Sequence, residues 1–113
     1  MNYVEFKAGE NTYKLRMNTR AVCDLERKLG TNPINVFMNM QDGILPKVTD
    51  MILILAAALQ QYQHGIKESD VFDIFDNYIA DGHGSVDFVN EMYDILNVSG
   101  LIADSKEESD PNA

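Results

Sequence analysis

The side chains best able to do chemistry gather between Asp76 and Asp87, where Asp76, Asp81, His83 and Asp87 share twelve residues with Gly82 and Gly84. Acids spaced around glycine suggest a calcium loop. An EF-hand needs oxygen ligands at positions 1, 3 and 5, Gly at 6 and a bidentate acid at 12. With Gly82 at position 6, Ile79 falls at 3 and Phe88 at 12; with Gly84 there, Ile79 falls at 1 and Asn90 at 12. Both registers lose the closing acid, so the segment reads as a helix–turn–helix corner. His83 has no second His at ligand spacing, since His64 lies across a helix boundary. A lone His in a Gly turn reads as a turn residue rather than a metal ligand or general base.

Cys23 is the single cysteine, which excludes an intramolecular disulfide framework and a multi-Cys metal site. It stands beside Val22 and Leu25, so it reads as a small apolar residue in or near the core. No Ser/His/Asp pattern, phosphate-binding loop, GxGxxG or paired His is present. The sequence therefore assigns no catalytic residue, no cofactor and no metal site, and points away from an enzyme.

Two segments carry binding chemistry instead. Met51–Leu59 is nine consecutive apolar residues. A helix that is apolar all round must be covered on every side. Two readings stand: a central helix buried in one domain, or a helix with one side open to another copy or to an apolar client helix. In the second, Met51, Ile52, Leu55 and Leu59 are the contact candidates, and Ala56, Ala57 and Ala58 allow close approach. The other segment is Asp70, Asp73 and Asp76, three residues apart on one helix. It is either an acidic face for a basic partner or a solvated face opposite Phe72, Phe75 and Ile79. Six methionines could help such a surface adapt. Met17, Met38, Met40, Met51 and Met92 also suit core or gap-filling roles.

The elements that must position these residues follow from periodicity. Residues 3–17 hold two alternating runs, Val4 and Phe6 then Tyr13, Leu15 and Met17, across a Gly-containing turn. That pattern predicts a β-hairpin, which must pack on something to persist. Asn18 or Thr19 caps a helix over 19–29, with Val22, Leu25 and Leu29 as its stripe, and Gly30 stops it. Pro33 opens a short helix over 33–41, lined by Ile34, Phe37 and Met38. Pro46 opens a long one over 46–64. A fourth covers 67–81, with Phe72, Phe75 and Ile79 on one stripe and Val71, Ile74 and Tyr78 beside it. Ser85 caps a fifth over 85–98, where Val89, Met92, Tyr93 and Leu96 follow helical spacing. The expected fold class is α+β, mainly α: an N-terminal hairpin packed on about five helices. Residues 1–100 form one domain and 101–113 an acidic disordered tail.

A chain of 113 residues makes one domain. Its formal charge is −9. Residues 1–30 hold six bases and four acids, whereas residues 31–100 hold two bases and ten acids. Such a balance argues against nucleic-acid binding, which needs clustered Lys and Arg, and against docking on anionic membranes. The longest apolar run is far short of the ~20 residues that span a bilayer. No secretory signal is expected.

The opening carries a resemblance. Tyr3-Val-Glu-Phe-Lys, the Gly turn and the run from Thr12 to Gly30 resemble the start of tail assembly chaperones of long-tailed phages and prophages, and of related gene-transfer-agent proteins. Tyr13, Leu15, Leu25, Glu26 and Gly30 occupy the positions of that opening, and the likeness covers about the first 65 residues. The strongly acidic second half is not part of it. The resemblance implies a non-enzymatic chaperone in the host bacterial cytoplasm. Its partners would be the tape-measure protein and tail-tube subunits, and it would be absent from the mature virion. It further implies a longer form made by ribosomal frameshifting. Two alternatives from other classes accompany it: a homo-oligomeric structural or adaptor protein of a phage particle, and a small metal-binding protein using Asp76, Asp81, His83 and Asp87.

Overall fold

A computed structural model describes residues 2–102, so positions 103–113 of the expected acidic tail lie outside the described residues. Val4–Ala8 (β1) and Asn11–Leu15 (β2) pair antiparallel, with Val4 opposite Leu15 and Ala8 opposite Asn11. Gly9 and Glu10 turn the chain, and Gly9 has φ 65°, a left-handed value that glycine adopts without steric cost. Alternation puts Phe6, Ala8 and Leu15 in the core and leaves Glu5, Lys7 and Lys14 exposed.

Five helices follow among the described residues. Asn18 accepts a hydrogen bond from the Ala21 N–H at 2.9 Å and starts α1 (Thr19–Leu29). Asn32 does the same for Ile34 at α2 (Pro33–Gln41), where Pro33 needs no donor partner. The others are α3 (Val48–Leu59), α4 (Glu68–Ala80) and α5 (Ser85–Val98). The fold is the expected α+β, mainly α arrangement.

The core gathers on α3. Met51, Ile54, Leu55, Ala58 and Leu59 meet Phe6, Leu15 and Met17 from the hairpin side and Tyr78, Phe88 and Met92 from α4 and α5. Phe6 stacks on Tyr78 with centroids 4.7 Å apart, and Phe75 meets Phe88 edge-on at 5.5 Å. No polar or charged residue is fully buried among the described residues.

Helix α3 is shorter than its apolar pattern suggests. It begins after Pro46, because Lys47 is extended (φ −69°, ψ 147°), and it ends at Leu59 rather than near His64. Contacts with β2 sit where the helix stops. The Gln63 side-chain amide donates to the Leu59 carbonyl at 2.7 Å and to the Lys14 carbonyl at 3.0 Å, and its Oε1 accepts from the Lys14 N–H at 3.0 Å. The Gln63 backbone N–H still donates to the Leu59 carbonyl at 3.0 Å, so this turn is tied to β2 through the Gln63 side chain. Arg16 N–H donates to the Ala58 carbonyl at 3.0 Å and completes the seam.

Helix α4 is rotated from the expected stripe. Val71, Ile74, Phe75 and Tyr78 face the core, while Phe72 and Ile79 are 50% and 44% exposed. Tyr78 and Phe75 are the side chains that meet Phe6 and Phe88, and that contact fixes the rotation. In α2, Val36 is buried and Met38 points outward. In α5, Gly84 is the N-cap and Ser85 the first helical residue. The domain also runs past its expected end at 100, because Leu101 and Ile102 pack against the core. No described helix is long and apolar enough to cross a membrane.

Candidate partner-binding groove

The seven candidate contact residues divide between core and surface. Met51, Ile52, Leu55 and Leu59 are 1%, 7%, 0% and 0% exposed. The chain covers Met51, Leu55 and Leu59 with its own hairpin and helices, as the buried-helix reading expects, whereas Ile52 also lines the groove between α1, α3 and α4. What stays partly open is the reverse of α3, where Leu53, Ala56 and Ala57 are half-buried and Gln60 is exposed. Their spacing of i, i+3, i+4 and i+7 is one helix stripe. The sequence carried that signal, but within nine apolar residues either stripe could have been the inner one.

This stripe floors a groove of about 390 Å³ between three helices. Ala21, Asp24 and Lys28 of α1 form one wall, and Glu68 and Val71 of α4 form the other. Past Ala57 and Gln60 it continues into a second depression lined by Arg16, Arg20, Gln61 and His64. Gln61 Oε1 is buried there without a hydrogen-bond partner among the described residues. Small side chains at 21, 56 and 57 let another backbone come close, since helix axes pack at ~8–10 Å according to contact size. Lys28 of α1 stands on one rim of the groove and Arg20 on the adjoining depression, with Asp24 between them, and this placement requires the fold.

Asp73 and Asp76 are exposed, and no described residue forms an ion pair with them. Asp70 has structural work, since its carboxylate accepts from the Lys67 N–H at 2.9 Å and caps α4. At ~100° per residue Asp76 lies beside Phe72 and Ile79, whereas Asp70 lies opposite both and Asp73 falls between.

The Asp76–Asp87 segment is a packing corner. Asp81 accepts from the Gly9 N–H at 2.8 Å, which ties the hairpin turn to the end of α4. His83 stacks on Tyr78 at 4.4 Å and 13°, with its Nδ1 3.0 Å from Asp87 Oδ2. The Tyr78 hydroxyl is buried without a partner among the described residues. Burial raises its pKa, and the negative charge of Glu91 and Asp87 adds to this. Burial also raises Glu91, with Asp94 and Asp87 adding to the effect and His83 opposing it. Asp94 is raised by burial. Among the described residues, no three His, Cys, Asp or Glu side chains are grouped to hold a metal ion. Cys23 is exposed, correcting its expected place in or near the core. At ~100° per residue it lies about 200° from Leu25, the buried residue of α1.

Residues 4–112 match the model of a family of unknown function, DUF6096, and the chain belongs to that family. No curated protein and no solved structure matches the chain.

Proposed function

We propose that this family member is a non-enzymatic phage tail assembly chaperone that binds the tape-measure protein and assists assembly of the tail tube. The observation that carries the reading is the groove of α1, α3 and α4, with its floor of Leu53, Ala56 and Ala57. Such a floor suits one amphipathic helix laid along it, the helix-in-groove mode of recognition. A tape-measure chain is long and helical, and its apolar stripes need cover until the tube encloses them. The sequence resemblance of the hairpin and α1 supports the same reading. The −9 charge keeps a complex with such a client soluble. The chaperone acts in the host bacterial cytoplasm and is left out of the mature virion.

Co-expression with the tape-measure protein of the same phage or prophage tests this. The expected result is a soluble complex that co-purifies. Failure of both rescue and co-purification contradicts it. Detection of the chain in purified virions contradicts it too, and favours the homo-oligomeric adaptor.

A further inference from the structure

The two edges of the hairpin are treated differently. Along β2 the outward backbone groups of Lys14 are both taken by the Gln63 amide, at 3.0 Å each. Lys14 is the register partner of Glu5. In an antiparallel pair, opposite residues either bond each other or both turn away. Lys14 turns away, so Glu5 does too, and the backbone N–H and C=O of Glu5 lie along the free edge of β1. Lys7, two residues on, shares that orientation. No hydrogen bond among the described residues engages these groups of Glu5 or Lys7 outside the hairpin. The guards β1 carries are its five-residue length and the exposed charges of Glu5 and Lys7, which are of opposite sign and so can pair as well as repel. The strand has no proline, its register runs unbroken from Val4 to Ala8, and its inward side chains Val4, Phe6 and Ala8 are apolar.

We infer that this edge pairs with the same edge of a second copy of the chain, joining two hairpins into a four-stranded antiparallel sheet. The charges select the register. Pairing centred on Phe6 sets Glu5 opposite Lys7 of the second copy, and Lys7 opposite its Glu5. In that register the two residues exchange both backbone hydrogen bonds, because both point outward. Shifting by one pleat either way, with the outward groups still matched, sets Glu5 against Glu5 or Lys7 against Lys7. Like charges directly opposite are unfavourable and opposite charges favourable. Only the Phe6-centred register satisfies backbone and side chains together. The contact is self-complementary, as a two-fold interface must be. It uses none of the groove residues and does not rest on the chaperone reading.

Sedimentation equilibrium of the full chain tests this. The expected result is a monomer–dimer equilibrium that shifts to dimer with concentration. Lys7→Glu weakens it by about tenfold or more, because both cross-copy pairs become like-charged. Lys7 faces Thr12 within its own hairpin, so this change leaves the fold intact. Glu5→Lys weakens it similarly. Glu5 faces Lys14 in the hairpin, so circular dichroism checks the fold of that variant. An equimolar mixture of the two single variants regains a dimer, and so does E5K/K7E alone. Amide exchange at Glu5 and Lys7 slows with concentration, while the Gln63-capped amide of Lys14 does not change. A wild-type chain that stays monomeric throughout overturns the inference. A dimer indifferent to K7E, a monomeric mixture, or protection confined to other residues does the same.

Discussion

The two sides of α3 are both apolar and meet opposite fates. One side, with Met51, Leu55 and Leu59, is sealed by the hairpin and by α4 and α5. The other, with Leu53, Ala56 and Ala57, is left half-covered between α1 and α4. The difference lies in size and neighbours. Large side chains fill the space under the hairpin, whereas alanines leave a trough that one small domain cannot close. An apolar run thus identifies a helix that must be covered, and its neighbours decide which side is spare.

Breaking the sealed side has the largest effect. Leu55→Ala removes a fully buried side chain. It should cost about 2.7–5 kcal/mol in denaturant unfolding, the usual range for a buried Leu-to-Ala cavity. Phe75→Ala belongs to the same class, at about 3–5 kcal/mol. Phe72→Ser, three residues away and half-exposed, should change stability by no more than about 0.5 kcal/mol. Equal effects at 72 and 75 would refute the rotation of α4.

Next comes the seam where α3 ends. Gln63→Ala removes one acceptor and two donor contacts to Lys14 and Leu59. It should cost about 1–2 kcal/mol in unfolding, with faster amide exchange at Lys14. The smallest change comes from pH. Burial raises the folded-state pKa of Glu91 and Asp94 from their ordinary values. The folded state then holds protons that the unfolded state has released. This term is absent below the unfolded pKa, and it lowers stability as pH rises through the folded pKa. Glu91→Gln should therefore raise Tm slightly at pH 7 and flatten the slope above about pH 4.3. Heat-denaturation scans across that range check the sign.

Much of the fold was legible because local signals agreed. Alternation marked the hairpin, Asn18 and Pro33 marked helix starts, and Gly30 marked a stop. Where reading failed, a distant contact decided. Phe72 and Phe75 look alike in sequence, and only the approach of Phe6 and Phe88 chooses between them. Gln63 looks like one more helical residue until it meets Lys14, 49 positions away. The groove was half legible. Ala56 and Ala57 were visible as close-approach residues, but Ala21 and Lys28 joined them only through the packing of α1.

The central claim is that the spare side of α3 receives the client helix. Its most direct test is co-purification of the tape-measure protein with Ala57→Glu, which places a charge in the groove floor. Thermal unfolding of the variant serves as the control for folding. The account predicts a folded protein that no longer retains the client, while Asp73→Ala/Asp76→Ala retains it. A folded Ala57→Glu that still binds, with binding lost instead in the acidic-face variant, would contradict the account.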